Sequence, residues 1–168
     1  MFKKINISEL TINPFEKIGK EWMLITAGSK DSYNTMTASW GQIGVLWNRD
    51  VLTCYIRPNR YTYEFIEKEE YFTASFFGSE YKKALSFCGT HSGRDTDKAV
   101  EAGLTAEEIE SSTTFKEAEL VLVCRKLYSY DIKGENFLTD DGIAEKVYNP
   151  EPFHRAYISE ITGIYIKE

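Results

Sequence analysis

The stretch Val51-Leu52-Thr53-Cys54-Tyr55-Ile56-Arg57-Pro58-Asn59-Arg60-Tyr61-Thr62 decides how this chain is read. In its first six residues both alternating faces are partly apolar, the pattern of a strand buried on each side. The chain then leaves the strand and enters a helix. Asn59 offers an N-cap, and the helix runs to about Lys68, with Tyr61 and Phe65, and Thr62 and Ile66, sharing faces at i, i+4.

Further runs rich in Val, Ile, Thr, Tyr and Phe read as strands: Trp22 to Ala27, Thr35 to Trp40, Tyr71 to Phe77, Glu119 to Tyr130 and Arg155 to Ile166. Helices fall between them. One spans Ser79 to Cys88, capped by Ser79 and ended by a left-handed Gly89. Another spans Asp95 to Ala102 and stops at Gly103. Thr105-Ala106-Glu107-Glu108 has the form of a capping box and predicts one more short helix. Six or more strands with a few short helices predict a mainly β, closed or partly closed barrel with helical insertions. The first three strands follow one another too closely for the helical crossovers of a doubly wound parallel sheet. With 168 residues and no repeat, low-complexity tract or linker, the chain reads as one domain over residues 1–168.

Composition narrows the function. Hydrophobic residues make up 42%, enough for a core, and the 14% aromatic share suits strands, flat ligands and subunit interfaces. A formal charge of −6 with no run of Lys and Arg argues against nucleic acid as partner. No segment is apolar enough to span a bilayer, and residues 1–10 lack a signal-peptide core, so the expectation is a cytoplasmic protein without a membrane partner. Three widely spaced cysteines, Cys54, Cys88 and Cys124, read as reduced, packed thiols, not a disulfide framework or zinc site. Two histidines, His91 and His154, cannot make a histidine-rich metal cluster.

The usual side-chain chemistry is missing. There is no G-x-S-x-G elbow, no phosphate loop, no dinucleotide fingerprint and no paired carboxylate in the apolar strands. Either the protein is not an enzyme or a cofactor carries the reaction. Two segments suit an anionic ligand. In Arg57-Pro58-Asn59-Arg60-Tyr61-Thr62-Tyr63 two arginines lie at a helix N-terminus, already the positive end of the helix dipole. A phosphate there reverses the repulsion; pairing with Glu64, Glu67 or other acids is the plainer alternative. In Ser32-Tyr33-Asn34-Thr35-Met36-Thr37-Ala38-Ser39-Trp40-Gly41 a strand with small hydroxyls can offer backbone groups to a flat heterocycle, or simply face solvent. Thr90-His91-Ser92-Gly93-Arg94-Asp95 is a third candidate, or a plain connecting loop.

Asn34-Thr35-Met36-Thr37-Ala38-Ser39-Trp40-Gly41, Arg57-Pro58-Asn59-Arg60-Tyr61-Thr62 and Cys88-Gly89-Thr90-His91-Ser92-Gly93-Arg94-Asp95, in this order, resemble the flavin reductase-like family, and within it the flavoredoxin-type branch. Asp97-Lys98, Phe72 to Phe77 and His154 to Ile161 add to the likeness, which runs from about Trp22 to Lys167. The resemblance implies an FMN-binding split β-barrel of Greek-key type, a homodimer with FMN near the interface, and NADH or NADPH as hydride donor. The acceptor is implied to be a second flavin, a ferric complex or a protein partner. By motif, Asn34, Thr35, Met36, Thr37, Ala38 and Ser39 are implied to line the ring and ribityl chain. Arg57, Pro58, Arg60, Tyr61 and Thr62 belong to the phosphate end, Ser92, Gly93 and Arg94 close the pocket, and His154 lies near the flavin. The family pattern has Gly where this chain has Ser159. A non-enzymatic FMN-binding electron carrier is the alternative within the resemblance. Setting the resemblance aside leaves a barrel for another anionic ligand, or a structural dimer.

Overall fold

A computed structural model describes all 168 residues. Ten strands are present: β1 (Phe2–Ile5), β2 (Met23–Ser29), β3 (Ser32–Ala38), β4 (Gly41–Leu46), β5 (Arg49–Ile56), β6 (Tyr71–Phe76), β7 (Ala106–Ile109), β8 (Ser112–Phe115), β9 (Leu120–Asp131) and β10 (Arg155–Lys167). Five short helices interrupt them: α1 (Pro14–Glu16), α2 (Tyr61–Lys68), α3 (Lys82–Thr90), α4 (Lys98–Glu101) and α5 (Ile143–Tyr148). None is long and apolar enough to cross a membrane.

Eight strands form one antiparallel sheet in the order β3-β2-β6-β9-β10-β5-β4, with β1 added to β10 beyond the end of β5. Its two end strands, β3 and β4, are neighbours in sequence, joined only by Ser39 and Trp40. From Ala38 to Gly41 the chain takes three residue steps, about 10 Å at most, so the sheet must roll until its ends nearly meet. The seam packs tightly: a Cβ added to Gly41 of β4 would lie 2.9 Å from Met23 Cε on β2 and 2.9 Å from the Thr53 carbonyl oxygen. The result is a barrel split along the β3–β4 seam.

Burial follows the strand period of two. Met23, Ile25 and Ala27 of β2 and Leu122 and Cys124 of β9 fill the barrel. Leu24, Val121 and Val123 point outward into a second core shared with Phe77, Leu85, Cys88, Ala99, Leu104 and Phe115. Both faces of these strands are therefore covered, which explains their continuous apolar runs. The outer cover is α3, α4 and the β7–β8 hairpin. Hydroxyls stitch the hairpin on: Thr73 Oγ1 donates to the Thr113 carbonyl (2.6 Å), and Thr113 Oγ1 to the Gly28 carbonyl (3.0 Å).

Several local expectations need correction. Ala106 to Glu108 open strand β7, because pairing with the fully buried β8 outweighs a local cap; the Thr105 N–H donates to Glu117 instead (2.8 Å). Arg60, not Asn59, is the N-cap of α2. Ser79 begins a 3-10 turn and caps nothing by its side chain. Gly89 stays helical inside α3, where an added Cβ would press within 3.2 Å of Thr37 on β3, so it serves close helix–strand approach. The helix expected from Asp95 begins only at Lys98, with Asp97 capping α4 through the Val100 N–H (3.2 Å). Ser159 lies at a bulge of β10 against β9, fully buried with its hydroxyl unpartnered.

Candidate functional site

A groove runs over the barrel seam. One end is lined by Met36, Thr37, Ala38, Ser39, Trp40, Tyr55, Arg57, Arg60 and His154. Side chains of a strand alternate between faces, so consecutive residues of β3 line one groove only if the strand is met edge-on. Strand β3 pairs with β2 alone and ends the sheet. Its outer edge thus offers backbone N–H and C=O groups to whatever flat molecule lies there.

The other end is a cationic corner lined by Arg57, Asn59, Arg60, Tyr61, Thr90, His91, Ser92, Lys98 and Glu151. Arg57 leaves the end of β5. Its Nη2 donates to the Val147 carbonyl (3.0 Å), its Nη1 pairs with Glu151 (3.1 Å), and its Nε is buried without a partner. Arg60 donates from Nη2 to the Gly89 carbonyl (2.8 Å) and has no carboxylate in salt-bridge range. Burial and the neighbouring Arg57 lower its pKa. Lys98 is only 4% exposed. Its Nζ donates to the carbonyls of Cys88 (2.9 Å) and His91 (3.1 Å), again with no acid beside it. Burial, then Arg60, bring it down to about 8.

Buried cations without counter-ions are costly. Here a buried lysine and a partly buried arginine stand in one corner, beside a second arginine whose Nε has nothing to donate to. An anion with several acceptor oxygens is the complement such a donor set lacks; among the acids, only Glu151 pairs here, with Arg57. Of the two sequence readings of these arginines, acid pairing holds for Arg57 and fails for Arg60.

His154 is buried at the flat end. Its Nδ1 lies 3.0 Å from the Tyr148 hydroxyl, and its ring sits edge-on to Trp40 (5.4 Å). Burial and then Arg57 push its pKa down to about 4, so it is a neutral imidazole at pH 7. Burial raises the Tyr55 phenol to about 12, which keeps it a hydroxyl donor. Burial also raises the thiols of Cys54 to about 12, Cys88 to about 11 and Cys124 well above the ordinary value; none is poised as a thiolate.

The structure gathers Met36, Thr37, Ala38, Ser39, Arg57, Arg60, Tyr61, Ser92 and His154 along the groove. Others among the predicted residues face elsewhere. Thr62 shares the buried face of α2 with Ile66, and its hydroxyl accepts from Asn34 Nδ2 (2.7 Å), so neither side chain reaches the corner. Thr35 bonds across to Thr26 (2.8 Å). Pro58 lines neither end. Gly93 abuts Asn34. Arg94 pairs with Glu64 and lies over the Tyr61 ring (4.6 Å), outside the corner. Sequence reasoning missed Trp40, Tyr55, Asn59, Thr90, His91 and Lys98 as lining residues. Trp40, Asn59, Thr90 and His91 stood inside the flagged segments; Lys98 stood in a matching dipeptide of the resemblance, but its burial in the corner comes only from the packing of α4 against α3.

A split barrel whose seam carries a flat groove ending in a cationic corner defines a binder of a planar ligand with an anionic tail. The chain belongs to the flavin reductase like domain family, whose model matches residues 15–168. Among solved structures, an FMN-binding domain of a flavin reductases-like enzyme from Shewanella baltica is similar at 17% identity and TM-score 0.69, over 99% of this chain and 77% of that one. Flavoredoxin from Methanosarcina acetivorans is similar at 22% identity and TM-score 0.69, over 95% and 76%. A Streptomyces globisporus NADH:FAD oxidoreductase, in complex with NAD and FAD fragments, follows at 13% identity and TM-score 0.64, over 88% and 74%. At these identities the likeness is one of fold. No curated protein matches the sequence.

Proposed function

We propose that the groove holds FMN and that the protein is an NAD(P)H-dependent oxidoreductase acting through it. The observation that carries the reading is the corner itself: Lys98, buried, and Arg60, partly buried, are two cations with only carbonyl partners, beside the orphaned Arg57 Nε. A phosphate monoester dianion fits this donor set in charge and in number of acceptor oxygens. Arg57, Asn59, Arg60, Ser92 and Lys98 would hold the phosphate, and the outer edge of β3 from Met36 to Ser39 would hold the ring. When bound, FMN supplies hydride and electron chemistry that no side chain here provides. The chain's own contribution is to fix the ring edge-on through backbone groups, to keep Tyr55 protonated as a donor, and to leave His154 neutral beside the ring, so that the positive charge stays at the tail. The relative named as an NADH:FAD oxidoreductase supports a nicotinamide donor.

The protein is further proposed to work as a homodimer. Strand β4 ends the sheet, and its turn raises Val45, Leu46 and Trp47 into solvent, with Trp47 edge-on to Tyr128 (6.1 Å) and Tyr130 beyond it. An aromatic surface of this kind on an open sheet edge suits a second copy. One preparation tests both readings. Purified protein with saturating FMN is expected to oxidise NADH or NADPH when a flavin or ferric acceptor is present, and to sediment as a dimer. FMN binding without nicotinamide turnover, but with reduction by a ferredoxin-type protein, replaces the enzyme by an electron carrier. A colourless protein that takes up no FMN sinks the proposal.

Lys98 gives the binding a pH signature. Only its protonated form attracts phosphate, so FMN affinity is full below its pKa of about 8 and falls as pH rises through it. The FMN Kd is expected to rise about tenfold between about pH 7 and about pH 9.5, the loss of one charged hydrogen-bond partner. Riboflavin, with no phosphate, should show no such slope, and Lys98→Met should flatten that of FMN. The flavin-free fold carries the opposite sign. Between about 8 and the ordinary lysine value the unfolded chain holds more protons, so stability rises with pH across that window. Parallel pH profiles for FMN and riboflavin would remove Lys98 from the phosphate end.

A further inference from the structure

Glu151 sits where the phosphate is needed. Its Oε2 pairs with Arg57 Nη1 (3.1 Å) and accepts from Asn59 Nδ2 (3.1 Å), inside the corner that Arg60 and Lys98 also line. This is the one carboxylate of the corner, and it takes two of the donors that a phosphate would use. It arrives on the segment between β9 and β10, and that segment is held down without it. Arg57 Nη2 binds the Val147 carbonyl (3.0 Å), the Ile132 N–H donates to the His154 carbonyl (2.9 Å), and Tyr148, Phe153 and Phe137 pack ring against ring. Glu151 is also half exposed, so it can swing into water without unseating its neighbours.

Building on the FMN reading above, we infer that Glu151 is an intramolecular competitor for the flavin phosphate, setting how tightly phosphorylated flavin is held and keeping it exchangeable. With Glu151 seated, the three cations of the corner carry one counter-charge; a dianion entering meets both a carboxylate repulsion and two occupied donors. Its binding must displace that carboxylate or tolerate it, and either raises the dissociation rate. The effect is confined to ligands with an anionic tail. The same ring without phosphate never reaches Glu151.

Glu151→Gln keeps the side chain's shape and its ability to accept from Asn59, and removes the charge. In flavin-fluorescence titrations of the full chain, E151Q is expected to bind FMN about tenfold tighter than wild type, through slower dissociation in stopped flow, while riboflavin affinity stays within about twofold. Glu151→Asp, which retains the charge, should bind FMN much as wild type does. If wild-type protein binds FMN and E151Q binds it no more tightly, or if FMN and riboflavin tighten together, the inference is overturned while the cofactor reading stands. If wild-type protein binds no FMN, both fall.

Discussion

Replacing Arg60 with alanine is expected to weaken FMN binding by about 1.5–3 kcal/mol, roughly ten- to a hundred-fold in Kd, the range for hydrogen bonds to a charged group. Arg60 is the N-cap residue of α2, so its guanidinium stands at the positive end of that helix, and no carboxylate forms an ion pair with it; Glu151 acts on it only from a distance. Its one bond, to the Gly89 carbonyl, fixes its direction without discharging it. Alanine removes the fork and also lightens the repulsion on Lys98, whose pKa should rise. The variant therefore has a second signature: the fall in FMN affinity with pH moves to more alkaline values. Arg60→Lys retains the charge but not the fork, so it should recover part of the loss. Riboflavin affinity is the control for general damage and should hold within about twofold. An FMN Kd unchanged in Arg60→Ala, measured by calorimetry or fluorescence quenching, would take Arg60 out of the site.

What the sequence revealed, and what it hid, divides along local and non-local physics. The central strands were legible because a strand covered on both faces needs a largely apolar run, and Val51 to Ile56 and Leu120 to Cys124 provide one. Strand β4 was not: Gly41 and Gly44 weaken its propensity, and Gly41 is there because the rolled sheet leaves no room for a Cβ. Nor could the Thr105 to Glu108 segment be read as strand, since the buried partner that captures it is remote from the capping pattern it displays. In the site, Arg57 and Arg60 stood out because two cations at a helix start are unfavourable unless an anion pays for them. The same local reading overreached at Thr62 and Arg94: each lies next to the corner in sequence, yet helix phase turns Thr62 inward and Glu64 draws Arg94 away. Lys98 shows the converse. Nothing in Asp97-Lys98 marks a buried ammonium; that property comes from α4 packing beneath α3, a relation between elements and not within one.

The hairpin that carries the groove rests on a single residue, and Gly28→Ala is expected to lower stability by about 3 kcal/mol or more. Gly28, the last residue but one of β2, has a φ of 110°, a conformation costing other residues about 1–3 kcal/mol. Strain is only part of the cost. A Cβ at Gly28 would lie 2.3 Å from the Ser32 carbonyl oxygen and 2.7 Å from Tyr33 Cα, both backbone of β3 and paired with β2 in register. Backbone cannot rotate aside like a long side chain, so relief requires the β2–β3 ladder to open at its turn. The Gly28 carbonyl also accepts from Thr113, so that opening loosens the β7–β8 cover. Strand β3 presents its outer edge to the groove, and a displaced β3 should cost affinity for FMN and riboflavin alike, unlike Arg60→Ala, which spares riboflavin. Gly44 is the control: it lies in β4 with open space around its Cα and no positive φ, and alanine there should shift stability by no more than about 0.5 kcal/mol. Urea unfolding of the two variants measures the contrast directly. Equal midpoints for Gly28→Ala and Gly44→Ala would mean that the β2–β3 turn is not held as described.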